Sequence, residues 1–396
     1  MKRHGWVLAL ILMAACGTAR AQWEIQNSGT TADLRGIDNV GGGVAWASGT
    51  QGTVLRTEDG GYLWQACAIP PGAEHLDFRG VQAFDANTAI AMSSGKGDLS
   101  RLYKTTDGCH RWKLVFTNPD KDGFWDAIRI TGGRAALMIG DPLPHKELDR
   151  FKVKTFFHFP LYGTIDGGDI WNRLDSDNLF ALSDKGGKPT QFMFAASNSS
   201  LMEIAQHRLI IFATGGAIVS LGQLEIIDHP NPMICKSRCT MAGSSKVPLT
   251  SGPTAGAFSV AVKDSDSPNP MLIVVGGDYS EPDNPDGTAA TCSRDSTMLI
   301  ATHFDCESST TPPHGFRSAV AYDGDAKAWI AVGPNGTDIS TDDGKNWRAL
   351  HPDAALHEAP DADRNWNALS LPFVVGPHGR IGKLNAKALQ AGKSAQ

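Results

Sequence analysis

The sequence predicts an all-β protein in which one antiparallel unit is repeated along the chain. A turn motif of the form (S/T)-x-D-x-G-x-x-W occurs four times, and apolar strand starts recur at about 45 to 50 residues. The 43 Gly and 22 Pro residues provide many turns, and 41% hydrophobic content is sufficient for a core in 396 residues. Apart from a short stretch around residues 384 to 389, no amphipathic helix is evident. We therefore expect one large β domain.

The turn motif is the most regular feature of the chain. Its copies span residues 57–64, 105–112, 164–171 and 340–347, with Cys109 in the glycine position of the second. In each copy we expect the Asp side chain to bond nearby backbone amides, glycine to adopt a conformation that other residues resist, and Trp to start the next strand. The residues expected to shape these turns are Asp59, Trp64, Asp107, Trp112, Asp166, Trp171, Asp342 and Trp347.

These turns resemble the Asp-box, also called the BNR repeat, of sialidase-like β-propellers. In that family the box joins the third and fourth strands of a blade, so the next inner strand should begin a few residues after the box Trp. A pattern of bulky apolar, polar, small and aliphatic residues occupies that place, as in Leu34–Ile37 and Phe78–Val81. The resemblance implies a propeller of four-stranded antiparallel blades.

This phasing gives seven blades, with inner strands starting near residues 34, 78, 125, 194, 258, 316 and 366. The starts near 194 and 258 rest on the strand pattern alone, because the fourth blade lacks a box and the fifth keeps only a degraded one at 293–297. The predicted propeller spans residues 22–385, and residues 386–396 form a flexible C-terminal tail. Trp23–Gln26 matches the segment that follows each box Trp, so we expect it to supply the last outer strand and close the ring.

Residues 1–21 have the organisation of an export signal. Lys2 and Arg3 precede an apolar run over residues 6–15, and Ala19-Arg20-Ala21 forms a small-x-small cleavage site. Cleavage after Ala21 predicts a periplasmic or secreted protein. The competing interpretation is a lipoprotein anchored through Cys16.

Charge and motifs exclude several classes of function. Cleavage changes the formal charge from −6 to −9, because Lys2, Arg3 and Arg20 are lost. An acidic protein is a poor candidate for nucleic-acid binding, which requires a basic surface. The sequence also lacks a P-loop, an H-E-x-x-H motif, a G-x-S-x-G motif and a dinucleotide fingerprint. We expect a monomer without cofactor, metal ion or transmembrane span in the mature chain.

Six cysteines remain after cleavage, and an even number in an exported chain suggests disulfides. Blade phasing places Cys67 and Cys109 near the same rim of neighbouring blades, which makes them the best pair. Proximity in sequence suggests the other two pairs, Cys235 with Cys239 and Cys292 with Cys306. The alternative for the middle pair is a zinc site with His229, although a second properly spaced pair of ligands is missing.

Candidate binding residues should gather on one face of the disc. In an up-and-down blade, the connections after strands two and four share a face, and the boxes mark the opposite one. Three arginines on the first face suit an anion clamp, because guanidinium forks match carboxylate or phosphate. The candidate binding residues are Arg35, Arg79, Asp126, Asp141, Asp278, Tyr279, Arg317 and Asn367.

Two other interpretations of this face stay open. The three arginines can instead form internal salt bridges with Asp126, Asp141 and Asp278 that tie blades together. Alternatively, Tyr279 with Asp278 or Glu281 can imitate the Tyr nucleophile and carboxylate partner of a sialidase, which makes these three the candidate catalytic residues.

The full pattern resembles the exported bacterial propellers grouped with photosystem II stability/assembly factors. The resemblance rests on Gly277-Asp278-Tyr279, Phe316–Val320 and Val332-Gly333-Pro334 before the last box, and it covers nearly the whole mature chain. In photosynthetic members it implies a non-enzymatic assembly role, in which an Arg-rich face engages a membrane-protein partner. We therefore expect a binding or assembly scaffold for an envelope or secreted protein or an anionic glycan. The alternative is a sialidase-like glycoside hydrolase or lyase.

Overall fold

The computed structural model describes residues 22–149, 152–174, 179–194, 197–204, 209–227, 238–267, 269–294, 303–385 and 389. The predicted export signal, His229 and Cys235 lie outside these residues, so the pairing of Cys235 with Cys239 and its zinc alternative stay predictions. Within the described part of the chain, no helix combines the length and apolar character needed to cross a membrane.

Four-stranded antiparallel sheets are the repeated unit, and in most of them each strand pairs with the next along the chain. The first sheet contains β2–β5, at Leu34–Gly41, Val44–Gly49, Val54–Thr57 and Gln65–Ala66. The second contains β6–β9, at Phe78–Ala83, Ala89–Ser93, Arg101–Thr105 and Lys113–Thr117. The third contains β10, β11, β14 and β15, at Trp125–Ile130, Ala136–Gly140, Leu161–Thr164 and Asn172–Arg173. A later sheet contains β26–β29, at Ala319–Asp323, Ala328–Gly333, Gly336–Ser340 and Arg348–Leu350.

The last sheet combines both ends of the described chain. Its strands β30, β31 and β32 span Ala368–Ser370, Phe373–Val375 and Ile381–Leu384, and its outer strand is β1 at Trp23–Gln26. Trp23 pairs with Leu384 and Gln26 with Ile381. Leu389, within the predicted tail, is 4% exposed and belongs to the same apolar cluster as Trp23.

The middle of the chain forms one sheet of nine strands. Its members β17–β25 span Gln191–Phe192, Leu201–Ile204, Leu209–Gly216, Ser220–Ile227, Arg238–Lys246, Gly252–Lys263, Met271–Asp278, Ala289–Arg294 and Phe304–Ser308. Two four-stranded groups, β18–β21 and β22–β25, join where Gly215 of β19 pairs with Gly256 of β22. A Cβ atom on Gly215 would lie 2.7 Å from the Gly256 Cα atom, so this junction requires glycine.

A hairpin is inserted between the second and third strands of the third unit, and a strand after the fourth joins it in a separate three-stranded sheet. The hairpin strands β12 and β13 span Leu143–Asp149 and Lys152–His158, and the later strand β16 spans Phe180–Ala181. Short 3₁₀ helices occur at Gly97–Leu99, Asn198–Ser200 and Ala354–Leu356.

The first strands of the units touch one another in a closed cycle. Strand β2 contacts β6, and contacts continue through β10, β18, β22, β26 and β30 back to β2. The second strands β7, β11 and β27 are buried along their whole length, because sheets cover them on both faces. The core therefore lies between neighbouring sheets, as where Trp46 of β3 and Phe78 of β6 share one cluster.

The four repeated turns share one hydrogen-bond pattern. In the first, Thr57 Oγ1 donates to Asp59 Oδ1 at 2.8 Å, and the amides of Gly61 and Leu63 donate to Thr57 Oγ1 and Asp59 Oδ1, each at 3.0 Å. The bond from the Leu63 amide, followed by the one from Thr57, holds the pKa of Asp59 below its usual value. The side chains at these spacings satisfy amides that the turn leaves unpaired.

Replacing Ser340 with Ala should lower the free energy of unfolding by about 1 to 2 kcal/mol, because the buried Gly344 amide donates to Ser340 Oγ at 3.0 Å and would lose its acceptor. Urea denaturation of wild type and variant measures this loss. The control is Thr341→Ala at the exposed neighbouring position, which should change stability by less than about 0.5 kcal/mol. Equal stability of the two variants would contradict a role for the hydroxyl.

Two disulfides connect predicted partners. The disulfide between Cys67 and Cys109 links the first sheet to the second. The disulfide between Cys292 and Cys306 joins the adjacent strands β24 and β25. Both pairings were predicted from the sequence and are confirmed.

Candidate functional site

The predicted binding residues lie at one edge of the sheets, which we call the candidate face. The first strand of each unit begins there and the second ends there, as the antiparallel partners Trp125–Gly140 and Ala255–Asp278 show. The repeated turns, which connect third and fourth strands, lie at the opposite edge. This common edge follows from the up-and-down order of the strands.

Arg35 and Arg79 share one carboxylate, that of Asp77. Arg79 Nε donates to Asp77 Oδ2 at 2.9 Å, and Arg35 Nε lies 3.7 Å from Asp77 Oδ1. About a third of each arginine side chain is exposed, with values of 32% and 31%. The Arg79 guanidinium also lies 6.0 Å from the centroid of the Phe124 ring, at the limit of a cation–π contact. Two guanidinium groups and one carboxylate leave this cluster with a net positive charge.

Asp126 and Asp141 form a carboxyl pair next to this cluster. Asp126 is 2% exposed, and burial together with the Asp141 charge raises its pKa well above the usual value, while the Arg79 charge opposes the shift. Burial raises the pKa of Asp141 to about 6, although Asp141 Oδ1 accepts a hydrogen bond from the Met193 amide at 3.1 Å. Protonation of Asp141 as the pH falls through about 6 therefore increases the positive charge of the candidate face.

Arg317 differs from the other two arginines because it is completely buried. Its Nε donates to Asp338 Oδ2 at 2.8 Å and its Nη1 to the Phe316 carbonyl at 2.7 Å. Arg317 Nη2 also contacts Asp338 Oδ2. The internal salt bridges expected of the three arginines thus exist, but their partners are Asp77 and Asp338 instead of Asp126, Asp141 and Asp278. Arg317 holds the unit together and does not reach the surface.

Asn367 also has a structural contact. Its Nδ2 donates to the Leu34 carbonyl at 2.8 Å, which ties the last unit to the first at the candidate face. The predicted cluster of eight binding residues therefore divides into surface residues and residues that connect sheets.

Tyr279 is the exposed member of an aromatic cluster. Half of Tyr279 is exposed, and its ring meets Phe194 and Phe258 edge-on at centroid distances of 6.4 and 6.1 Å. Phe194 and Phe258 are stacked at 4.2 Å, and Phe258 contacts Phe316 at 4.7 Å. The sequence pattern predicted inner-strand starts near these phenylalanines, but in the structure Phe194 follows β17, Phe258 lies inside β22 and Phe316 precedes β26. The pattern did not reveal that the three pack around Tyr279.

Asp278 and Glu281, the other candidate catalytic residues, flank Tyr279. The Ser280 hydroxyl donates to Asp278 Oδ1 at 2.7 Å and the Ser280 amide donates at 2.9 Å, and these bonds keep the pKa of Asp278 below its usual value. Asn284 Nδ2 donates to Glu281 Oε2 at 3.2 Å. Both carboxylates are thus held by their own loop.

A cavity of about 620 Å³ opens on the same face, beside strand β1. Its wall includes Gln26, Asn27, Asp361, His378 and Arg380. Arg380 pairs with Asp361 at 3.1 Å, so the wall carries no large net charge.

Comparisons with known proteins identify the fold. No protein-family model matches the chain, and no curated protein matches it by sequence. YCF48 from Cyanidioschyzon merolae is similar in structure, with a TM-score of 0.56 and 17% identity over 93% of this chain and 99% of that one. A structure of YCF48 bound to D1 peptide gives a TM-score of 0.54 and 16% identity over 92% of this chain and 96% of that one. The fold is a β-propeller.

The YCF48 neighbours agree with the resemblance to photosystem II assembly factor-like propellers. A GH74 xyloglucanase from Xanthomonas campestris is also similar, with a TM-score of 0.52 and 14% identity over 93% of this chain, which spans 54% of that enzyme. Identities this low establish the propeller fold alone.

Proposed function

We propose that this protein is an exported, non-enzymatic propeller. It binds a protein partner or an anionic glycan through the Arg35–Arg79 cluster. The observation that carries the proposal is two partly exposed arginines sharing one carboxylate on the candidate face. A carboxylate of the partner can accept hydrogen bonds from these guanidinium groups without breaking a buried ion pair, because both arginine side chains already contact solvent. The structural neighbour with a bound D1 peptide supports a protein as partner.

The rest of the architecture fits an extracytoplasmic scaffold. We infer seven blades in the range 22–385 from the closed cycle of first strands, with β1 as the strand that closes the ring. Two disulfides suit an oxidising compartment, which agrees with a periplasmic or secreted protein processed after Ala21. We further propose that the mature chain acts as a monomer.

A glycoside hydrolase is the second candidate, and the Asp126–Asp141 pair favours it. Glycosidases use two carboxyl groups that flank the scissile bond and often raise the pKa of one. Asp126, however, is 2% exposed and cannot flank a bound sugar without rearrangement. Hydrolysis of an acidic glycan by wild type, lost in Asp126→Asn, would support the enzyme over the scaffold.

Arg35→Gln/Arg79→Gln should lose its partner in a cross-linked pull-down from the native envelope. We expect recovery of the wild-type partner, identified by mass spectrometry, to fall about tenfold or more, because charge-assisted contacts contribute about 1.5 to 3 kcal/mol each.

The matched control is Arg111→Gln/Arg348→Gln, which removes the same charge at exposed positions near the opposite edge. Its recovery should equal that of wild type. Equal recovery by the Arg35/Arg79 variant, with unchanged circular dichroism, would reject this cluster as the binding site.

A further inference from the structure

The aromatic cluster around Tyr279 combines apolar exposure with negative charge. The segment from Asp278 to Asp286 contains four acidic residues and neither Lys nor Arg. Tyr279 is half exposed at its start, whereas Phe258 and Phe316 behind it are 3% and 6% exposed. An aromatic ring with carboxylates at its rim is complementary to a cation, because the ring face is electron-rich and the carboxylates supply charge.

The segment is held in place before any ligand arrives. The Tyr279 amide donates to the Thr254 carbonyl at 3.2 Å, and the Glu281 amide donates to the Asp278 carbonyl at 3.1 Å. Asn335 Nδ2 donates to Asp283 Oδ1 at 3.1 Å, which fixes the far end against the next unit. Such preorganisation lowers the entropy cost of binding.

The candidate face therefore has two places of opposite charge. The Arg35–Arg79 cluster carries net positive charge, while the Tyr279 segment carries negative charge several units away along the cycle of first strands. The fully buried Arg317 next to this segment does not cancel the surface charge, since Asp338 already pairs with it. Charge complementarity thus favours a positively charged ligand at the Tyr279 segment.

We propose that Tyr279, backed by Phe194 and Phe258 and flanked by Asp278 and Glu281, docks an arginine-containing peptide segment of the protein partner. This inference rests on the proposed scaffold function and adds a second contact to it. The guanidinium plane stacks on the exposed Tyr279 ring while its N–H groups donate to the flanking carboxylates. Arginine fits better than lysine, because a planar guanidinium both stacks and donates in a fork.

A fluorescent peptide of alternating glycine and arginine tests the contact by anisotropy titration up to millimolar concentration. The neutral probe has the same sequence with citrulline in place of arginine. We expect wild type to bind the arginine peptide saturably and about tenfold more tightly than the citrulline peptide, and a lysine peptide to bind with intermediate affinity. No saturable binding, or equal binding of the charged and neutral peptides, would overturn the proposal.

Variants assign the binding to these residues. Tyr279→Ala should weaken binding of the arginine peptide about fivefold or more, while Tyr279→Phe should retain most of it, because the ring is kept. Asp278→Asn/Glu281→Gln should also weaken it and reduce its dependence on salt. Tyr62→Ala is the control, since Tyr62 is 87% exposed on a repeated turn at the opposite edge. Wild-type affinity in Tyr279→Ala would overturn the proposal.

The same titration separates this inference from the proposed function. Arg35→Gln/Arg79→Gln should bind the arginine peptide like wild type even though it loses the partner in the pull-down. If that variant keeps the partner while Tyr279→Ala loses the peptide, the Arg35–Arg79 proposal fails and the Tyr279 contact stands. Tighter binding of a glutamate peptide than of the arginine peptide at Tyr279 would overturn the contact.

Discussion

Replacing Arg317 with Met should lower the free energy of unfolding by about 3 to 5 kcal/mol, because it leaves the carboxylate of Asp338 buried without its main partner. Asp338 is 1% exposed, and the guanidinium of Arg317 provides two of its contacts. His314 Nδ1 lies 2.9 Å from Asp338 Oδ1 and remains as a third. Methionine fills most of the vacated volume, so the loss reports the missing charge and hydrogen bonds, including the one to the Phe316 carbonyl, and not a cavity.

Urea denaturation at neutral pH measures the loss, and Arg317→Met/Asp338→Leu is the control. The double variant should recover most of the stability, because an apolar pair avoids an unpaired buried charge. A single variant as stable as wild type, or a double variant less stable than the single one, would show that the pair does not contribute as proposed.

The stability difference between wild type and Arg317→Met should depend on pH. Burial opposes ionisation of Asp338, but the hydrogen bond from His314 and the Arg317 charge prevail and hold its pKa below the usual value. A carboxyl whose pKa is lower in the folded state adds stability above its unfolded pKa of about 3.9 and loses it as pH falls through the folded pKa. The stability difference between wild type and Arg317→Met should therefore shrink as the pH is lowered below about 4.

The different environments of the three arginines show what local sequence can predict. Arg35 and Arg79 are the second residues of β2 and β6, whereas Arg317 precedes β26 by two residues. The three share one sequence pattern, but the later start of β26 allows Arg317 to reach Asp338 on the third strand of its own unit. Side-chain direction depends on where a strand begins, which is the least certain feature of a sequence pattern.

Local spacing did predict the repeated turns, the all-β class and the strand starts at 34, 78 and 125. Those features depend on residues within a few positions of one another, such as a hydroxyl two residues before an Asp. The Tyr279 cluster depends instead on Phe194 and Phe258, 64 positions apart, whose stacking requires the complete arrangement of sheets. Asp77 was missed because it lies just outside the strand-start pattern, one residue before β6.

Replacing Trp23 with Ala should lower the free energy of unfolding by about 3 to 5 kcal/mol, the usual cost of removing a large buried aromatic side chain. Trp23 is 2% exposed in the outer strand of the last sheet, and its ring centroid lies 5.7 Å from that of Trp366. The Trp23 amide also donates to Glu358 Oε1 at 3.0 Å, a contact that the substitution keeps. The loss therefore reports how firmly the side chain anchors strand β1.

Ile25→Ala provides a control on the same strand, since Ile25 is 43% exposed and its change should cost less than about 1 kcal/mol. If β1 closes the ring, Trp23→Ala should destabilise the whole domain, and circular dichroism and tryptophan fluorescence should report one shifted urea transition. If β1 is only an attached edge strand, the main transition should stay in place and hydrogen exchange should increase in β1 and β32 alone. If β1 closes the ring, Trp23→Ala should therefore lower the stability of the whole domain, although Trp23 is only two residues after the predicted cleavage site.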